Sequence, residues 1–412
     1  MLPVETEVAE DAMISPSLIA LTGLVLNALV PDVGEERIPA FARLHRVSCA
    51  VCHDPIPRLT AFGETFAGNG FRFAQDQPSP DRVPTGDPLL ELPGLLRLAM
   101  RLDAYTTAYA NGSAAADLQA PYNLKVMSGG PLSESLSYYL YFLLFERGEI
   151  GGIEDAFVSW NDLAGAPVDV SVGQFQVSDP MFKRELRLTY EDYAVYRARI
   201  GNTPADLTYD RGLVVSADAA GFTLTAQVVN GNGKEAALAS RRFDDDRNKS
   251  FIGHLRRDLL PGVSLGLLGY VTRQEGAAPG GPSLLNKLWM LGGDATIQLG
   301  PVEVSGQFVH REDTRPTFTL NEPTAVTNGG FGQVLLHPAG TRWYAIALYN
   351  VIEVNRPLLD VRLGGAADVS RYETVTGGGG YVLRRNVRVY AEGTWNRELG
   401  ATQWTVGLTT AF

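Results

Sequence analysis

From residue 95 onward, apolar and polar side chains alternate with a period of two, the spacing that puts successive side chains on opposite faces of a strand. In Phe222–Val228 the apolar set is Phe222, Leu224, Ala226 and Val228, and the polar set is Thr223, Thr225 and Gln227. In Val387–Trp395, the face with Val387, Val389, Ala391, Gly393 and Trp395 opposes Arg388, Tyr390, Glu392 and Thr394. Sixteen such segments are predicted, beginning at 96–109, 120–128, 134–146 and 152–161, continuing through 286–298 and 329–336, and ending at 401–412. The stretch 357–369 reads as loop, because an even strand number returns both ends of the sheet to one side. Connections 178–205, 231–248, 274–285, 312–328 and 353–373 are long and expected to face outward; Ala217–Gly221, Leu299–Pro301 and Arg384–Asn386 are short. The pattern predicts a mainly β, antiparallel protein. A charged face opposite an apolar one fits either a soluble sandwich or a barrel with a wet lumen.

Ahead of the strands, residues 14–29 form a continuous apolar, helix-like stretch interrupted by Ser, Thr, Gly and Asn. It is too short for a membrane span and sits where a secretory signal core belongs. Glu5, Glu7, Glu10 and Asp11 stand where a signal would carry basic residues, and a start near Met13 would remove them. Residues 1–35 are accordingly expected to be a targeting segment. No later stretch is apolar enough for a transmembrane helix, so any span must be built from strands. The 44 glycines, 17 phenylalanines and 16 tyrosines also favour many short strands over a helical bundle. A net charge of −11 without any Lys/Arg run argues against nucleic acid as a partner.

The chain has two cysteines, and they fall in Cys49-Ala50-Val51-Cys52-His53. A redox dithiol would need a βαβ setting, and a zinc site would need further Cys/His ligands at suitable spacing. His45 is near, but His254, His310 and His337 fall far along the chain. The CxxCH spacing suits covalent haem: on one helical turn two thiols reach two vinyl groups, and the adjacent imidazole lies under the iron. Cys49, Cys52 and His53 are thus the expected cofactor-binding residues, with His53 as proximal ligand. No Met or His occurs between His53 and Met100, leaving Met100, Met127 and Met181 as candidate distal ligands.

Around this motif stand Pro39-Ala40-Phe41-Ala42-Arg43, Pro57-Arg58-Leu59-Thr60-Ala61-Phe62-Gly63, Phe66 and Gly70-Phe71. Over residues 37–75 the chain resembles the cytochrome segment of fused outer-membrane cytochrome–porins, which include the iron oxidases of iron-oxidising bacteria. Glu64 departs from the basic residue expected after the Phe-Gly pair in those oxidases. The resemblance implies a small helical cytochrome segment and Pro-rich linker over 36–94, with Pro78, Pro80, Pro84 and Pro88, followed by a transmembrane β-barrel over 95–412. It also implies that the final alternating strand ending in Phe412 is an outer-membrane recognition signal. Phe41, Leu44, Val47, Leu59, Phe62, Phe66, Phe71 and Phe73 are expected to pack around the porphyrin. Tyr138, Tyr139, Tyr141, Trp160, Trp289, Trp343, Tyr349, Trp395 and Trp404 are expected to form interfacial girdles.

The implied function is single-electron transfer in the outer membrane of a Gram-negative bacterium. Electrons from an extracellular donor such as Fe(II) would pass through one haem c to a periplasmic cytochrome or cupredoxin, as in a ferrous iron oxidase. Asp179, Glu185, Glu191 and Asp192, set among tyrosines, and the run Arg241–Arg247 offer either an acidic vestibule for ferrous ions or ordinary solvated loop charge. The alternatives are a diffusion porin with a haem-bearing plug and a soluble periplasmic β-sandwich cytochrome. No G-x-S-x-G, H-E-x-x-H or P-loop supports hydrolytic chemistry.

Overall fold

Sixteen antiparallel strands join into one closed circuit in the computed structural model, which describes residues 40–45, 47–73, 82–87, 91–93, 97–110, 116–361 and 366–412. The expected targeting segment and Pro78, Pro80 and Pro88 of the linker lie outside the described residues. The first half of the barrel comprises β1 (Leu98–Tyr109), β2 (Asp117–Pro131), β3 (Leu136–Glu146), β4 (Gly152–Trp160), β5 (Val168–Gln176), β6 (Tyr209–Ala219), β7 (Phe222–Val229) and β8 (Ser250–Leu260). The second comprises β9 (Val263–Gly276), β10 (Leu284–Leu299), β11 (Val302–Asp313), β12 (Ala325–Leu336), β13 (Trp343–Val354), β14 (Arg371–Arg384), β15 (Val387–Asn396) and β16 (Ala401–Ala411). Each pairs with its neighbours in sequence, and β16 closes the circuit on β1, from Gln403 opposite Tyr109 to Ala411 opposite Arg101. Closure leaves no unpaired edge. A sandwich is therefore excluded.

The alternation sorts cleanly across the wall. Leu267 and Leu291, 63% and 59% exposed, face outward with Phe308, Val271 and Trp404, while Asp313, Asn350, Thr374 and Arg388 on the opposite parity are buried inside. An apolar exterior around a polar interior suits lipid outside and water or packed polar groups within. Trp160 and Trp343 mark one rim of the exterior, and Trp289, Trp395 and Trp404 the other. Tyr139 and Tyr141 do not join these girdles. Both point into the lumen, where the Tyr141 hydroxyl donates to Glu185 and Tyr139 stacks on Phe71.

One end of the barrel carries the short turns. Ala220 and Gly221 both adopt positive φ in the β6–β7 turn, the twist that two-residue hairpins favour. The other end carries the long connections, but 178–205 does not face outward. It folds into the lumen, where Tyr193 and Tyr196 donate to Gln333 and Gln307 of the wall. Arg311 anchors its far side through the Ala205 carbonyl and Thr203 hydroxyl, both at 2.9 Å. The physical cause is composition: Leu188, Tyr193, Val195, Tyr196, Ile200 and Leu207 are buried and would be poorly solvated outside. Within it, Ala198–Ile200 pairs with Leu359–Val361, which pairs with Ala366–Val369. The stretch 357–369 thus holds two short strands rather than plain loop, outside the barrel circuit.

Candidate functional site

Among the described residues, three short helices precede the barrel: α1 (Ala40–His45), α2 (Cys49–Cys52) and α3 (Ala61–Gly68). Thr60 ties two of them together. Its hydroxyl caps α3 by accepting from Gly63 N–H at 3.1 Å and donates to the Val51 carbonyl at 2.8 Å. Its own N–H donates to the Cys52 carbonyl at 2.9 Å. Gly63 is required by this contact, because a Cβ there would overlap the Cys52 carbonyl and crowd Leu59. The loop between the helices turns back through buried Pro55 and Pro57.

Cys49 and Cys52 share one helical turn, and His53 follows at its end. Both thiols are free and half-buried, and burial pushes each above its ordinary value. His53 Nδ1 lies 2.8 Å from the Pro57 carbonyl. A carbonyl only accepts, so Nδ1 carries the proton and Nε2 keeps its lone pair. Burial lowers the imidazole's proton affinity, outweighing the Pro57 bond and keeping the ring neutral, the form that ligates a metal. Large apolar side chains remain exposed close by in sequence: Leu44, Val51 and Phe62. Behind them Phe41, Phe66, Phe71 and Phe73 pack ring to ring, with His45 against Phe66 and Phe73. Two thiols, an oriented imidazole and exposed apolar surface fit a covalently attached porphyrin.

This helical unit sits in the short-turn mouth of the barrel. Arg58 pairs with Glu303 at the start of β11 at 2.7 Å, and Asp54 with His337 of the β12–β13 turn at 2.8 Å. Asn161, beyond β4, donates to the Gly68 carbonyl, and the Cys49 thiol lies 3.6 Å from Asn386 of the β14–β15 turn. Glu64 pairs with Lys183 of the inward connection at 2.7 Å, giving the departure from the iron-oxidase pattern a local partner. No sequence pattern announced these contacts, whose members lie up to 337 residues apart.

The three candidate methionines are not gathered at His53. Met100 alternates with lumen-facing Arg101 and so faces lipid, its backbone paired with Phe412. The Met181 sulfur accepts from Gln307 at 2.8 Å within the inward connection's core. Met127 lies on the lumen face of β2, two residues from Gly129, which abuts the Phe71 ring. The acidic quartet falls into two pairs, Asp179 with Glu185 and Glu191 with Asp192. Glu185 is held by Lys125 at 2.5 Å and by Tyr141. Burial alone would raise Asp192, but Arg184, Arg187 and Arg197 hold it well below the usual carboxylate range. Burial and neighbouring Glu392 lift Glu191 to about 7. The Arg241–Arg247 run stays in the β7–β8 connection, where Asp244 pairs with Lys249.

The closed sixteen-strand circuit, lipid-facing exterior and inward connection define a transmembrane barrel of the porin type found in Gram-negative outer membranes. Among solved structures, an anion-selective porin from Comamonas acidovorans matches at 15% identity with a TM-score of 0.54, over 77% of this chain and 99% of that one. The trimer form of OmpT, an outer membrane protein of Vibrio cholerae, matches at 10% and 0.53, again over 77% and 99%. OprB of Pseudomonas putida matches at 11% and 0.52, over 77% and 94%. Neither a protein-family model nor a curated protein sequence matches the chain.

Proposed function

We propose that this protein is an outer-membrane electron-transfer cytochrome–porin, carrying one covalent haem c on Cys49, Cys52 and His53. The observation that carries the reading is the His53 geometry: Nδ1 is committed to Pro57 beside two free thiols on one turn, in the mouth of a membrane barrel. Bound there, haem would supply one-electron exchange between an extracellular donor, Fe(II) being the simplest, and a periplasmic cytochrome or cupredoxin. The chain's part is to hold and orient. The Pro57 carbonyl fixes the imidazole tautomer, the Phe41–Phe66–Phe71 cluster packs behind it, Arg58 and Asp54 lock the unit to the wall and its turns, and Glu64 ties it to the inward connection.

Purified protein from a host that matures c-type cytochromes should show a Soret band and, in liposomes, reduction by external Fe(II). His53→Ala should lose the redox response while the barrel keeps its heat-modifiable migration. Undiminished electron delivery by that variant would sink the reading. The porin fold favours one rival, a diffusion pore whose helical unit is only a plug. Liposome swelling in small sugars without electron delivery to an enclosed acceptor would select it.

A further inference from the structure

The lipid-facing side of the wall is not evenly covered. Along one row of paired positions from β7 to β11, the outward residues are Phe222, Arg257, Leu265, Ala295 and Gly306. In the adjoining outward row, Gly293 stands between Leu267 and Phe308. Gly293, Ala295 and Gly306 put almost no side chain on the surface, whereas Leu267, Ile297, Val304 and Phe308 are exposed around them. The result is an apolar groove of about 730 Å³. That size is ordinary for a small-molecule site, about 300–1,000 Å³. A Cβ added at Gly293 would come no nearer than 3.6 Å to any atom beyond its chain neighbours, so the floor is open. A void facing hydrocarbon forfeits dispersion contacts unless a flexible apolar chain fills it.

The groove also has a charged edge. Arg257 lines it and pairs with Phe222, the first residue of β7, which places the guanidinium near the short turns. That guanidinium lies over the Phe222 ring, 4.6 Å from its centroid, a contact that holds the charge against the outer surface. The neighbouring Asp258 is taken by Arg256 at 3.4 Å. Among the described residues, no carboxylate lies within salt-bridge distance of Arg257. An arginine facing lipid is costly at the bilayer centre and tolerated near the headgroups. The headgroup element that its planar fork matches is a phosphate.

We propose that this groove binds one anionic glycerophospholipid, with an acyl chain over Gly293, Ala295 and Gly306 and the phosphate against Arg257. A second copy of the chain is the less favourable occupant. An apolar wall pressed onto the groove would bury the guanidinium without a counter-charge. The site belongs to the barrel alone and is independent of haem.

The test is native mass spectrometry of the full chain, purified in detergent and incubated with dioleoylphosphatidylglycerol or dioleoylphosphatidylcholine. Wild type should retain one phosphatidylglycerol per barrel, roughly fivefold more readily than phosphatidylcholine, the preference one arginine near a headgroup supplies. Gly293→Leu puts an apolar side chain into the floor and should lower phosphatidylglycerol retention by a similar factor. Arg257→Gln should bring it down to the phosphatidylcholine level. Gly377→Leu makes the same change on the exposed face of β14, where nothing lies within 4 Å of the added Cβ, and should behave as wild type. Heat-modifiable migration of each variant checks that the barrel is folded. Equal retention by wild type, Gly293→Leu and Arg257→Gln, or no preference for phosphatidylglycerol, overturns the proposal. So does an oligomer that Gly293→Leu splits while lipid retention is unchanged, which would assign this face to a second copy.

Discussion

At the scale of single residues, the turn proposed to carry haem is held by a few close contacts around Cys52. Gly63 lets α3 lie directly on the carbonyl that ends α2, and Thr60 stitches the same carbonyl from the other side. Gly63→Ala forces a methyl into that contact and should destabilise the helical unit by roughly 1–3 kcal/mol, the usual cost of overpacking. The barrel should be untouched. Limited proteolysis should cut residues 40–73 faster while heat-modifiable migration is unchanged, and unchanged protection would show that α3 tolerates displacement. The grouping of Cys49, Cys52 and His53 on one turn was legible because it is local in sequence. Asp54–His337 and Arg58–Glu303 were not, because a salt bridge across 283 or 245 residues leaves no periodic trace in either partner.

Among the elements, the inward connection is the one whose course departs most from its sequence reading. Its charges suggested a solvated outer loop, yet they are largely neutralised in place, with Asp192 held by Arg184 at 2.5 Å and Arg197 at 3.3 Å. The overlooked signal was hydrophobic: Leu188, Tyr193, Tyr196, Ile200 and Leu207 are too many apolar groups for an exposed segment. Asp192→Ala strands three guanidinium groups, that of Arg184 buried, a change that costs about 3–5 kcal/mol when a buried pair is broken. The connection should undock from the lumen, raising single-channel conductance in planar bilayers and admitting protease near residue 190. Conductance equal to wild type would mean that Arg311 and the tyrosine contacts hold it alone. The strands themselves were read well where lipid imposes alternation. Their ends were read short, at 120–128 for Asp117–Pro131 and 329–336 for Ala325–Leu336. Past the bilayer both faces are wet or covered by loops, and the period-two contrast fades.

For the molecule as a whole, sixteen strands and their order were legible because a barrel wall is a repetitive object and every strand carries the same contrast. What the lumen holds was not legible. Its contents are packed polar groups drawn from distant segments, and the net charge of −11 does not reveal that Glu64, Glu154 and Glu185 each pair with a lysine there.

The seam between β1 and β16 joins the two ends of a circuit whose first strand follows the helical unit in the chain, beyond the short pairing of Arg82–Pro84 with Glu91–Pro93. That seam sets an order of events in biogenesis. The cysteines lie in a mouth bounded by turns from both halves of the barrel, so for the haem attachment proposed above the closed wall narrows an attachment enzyme's approach. Covalent loading should therefore precede insertion and closure, coupling the timing of cofactor maturation to membrane assembly. In a pulse–chase experiment, haem-stainable chains should appear before the heat-modifiable form. Appearance of folded, haem-free barrels that later acquire the stain would reverse that order.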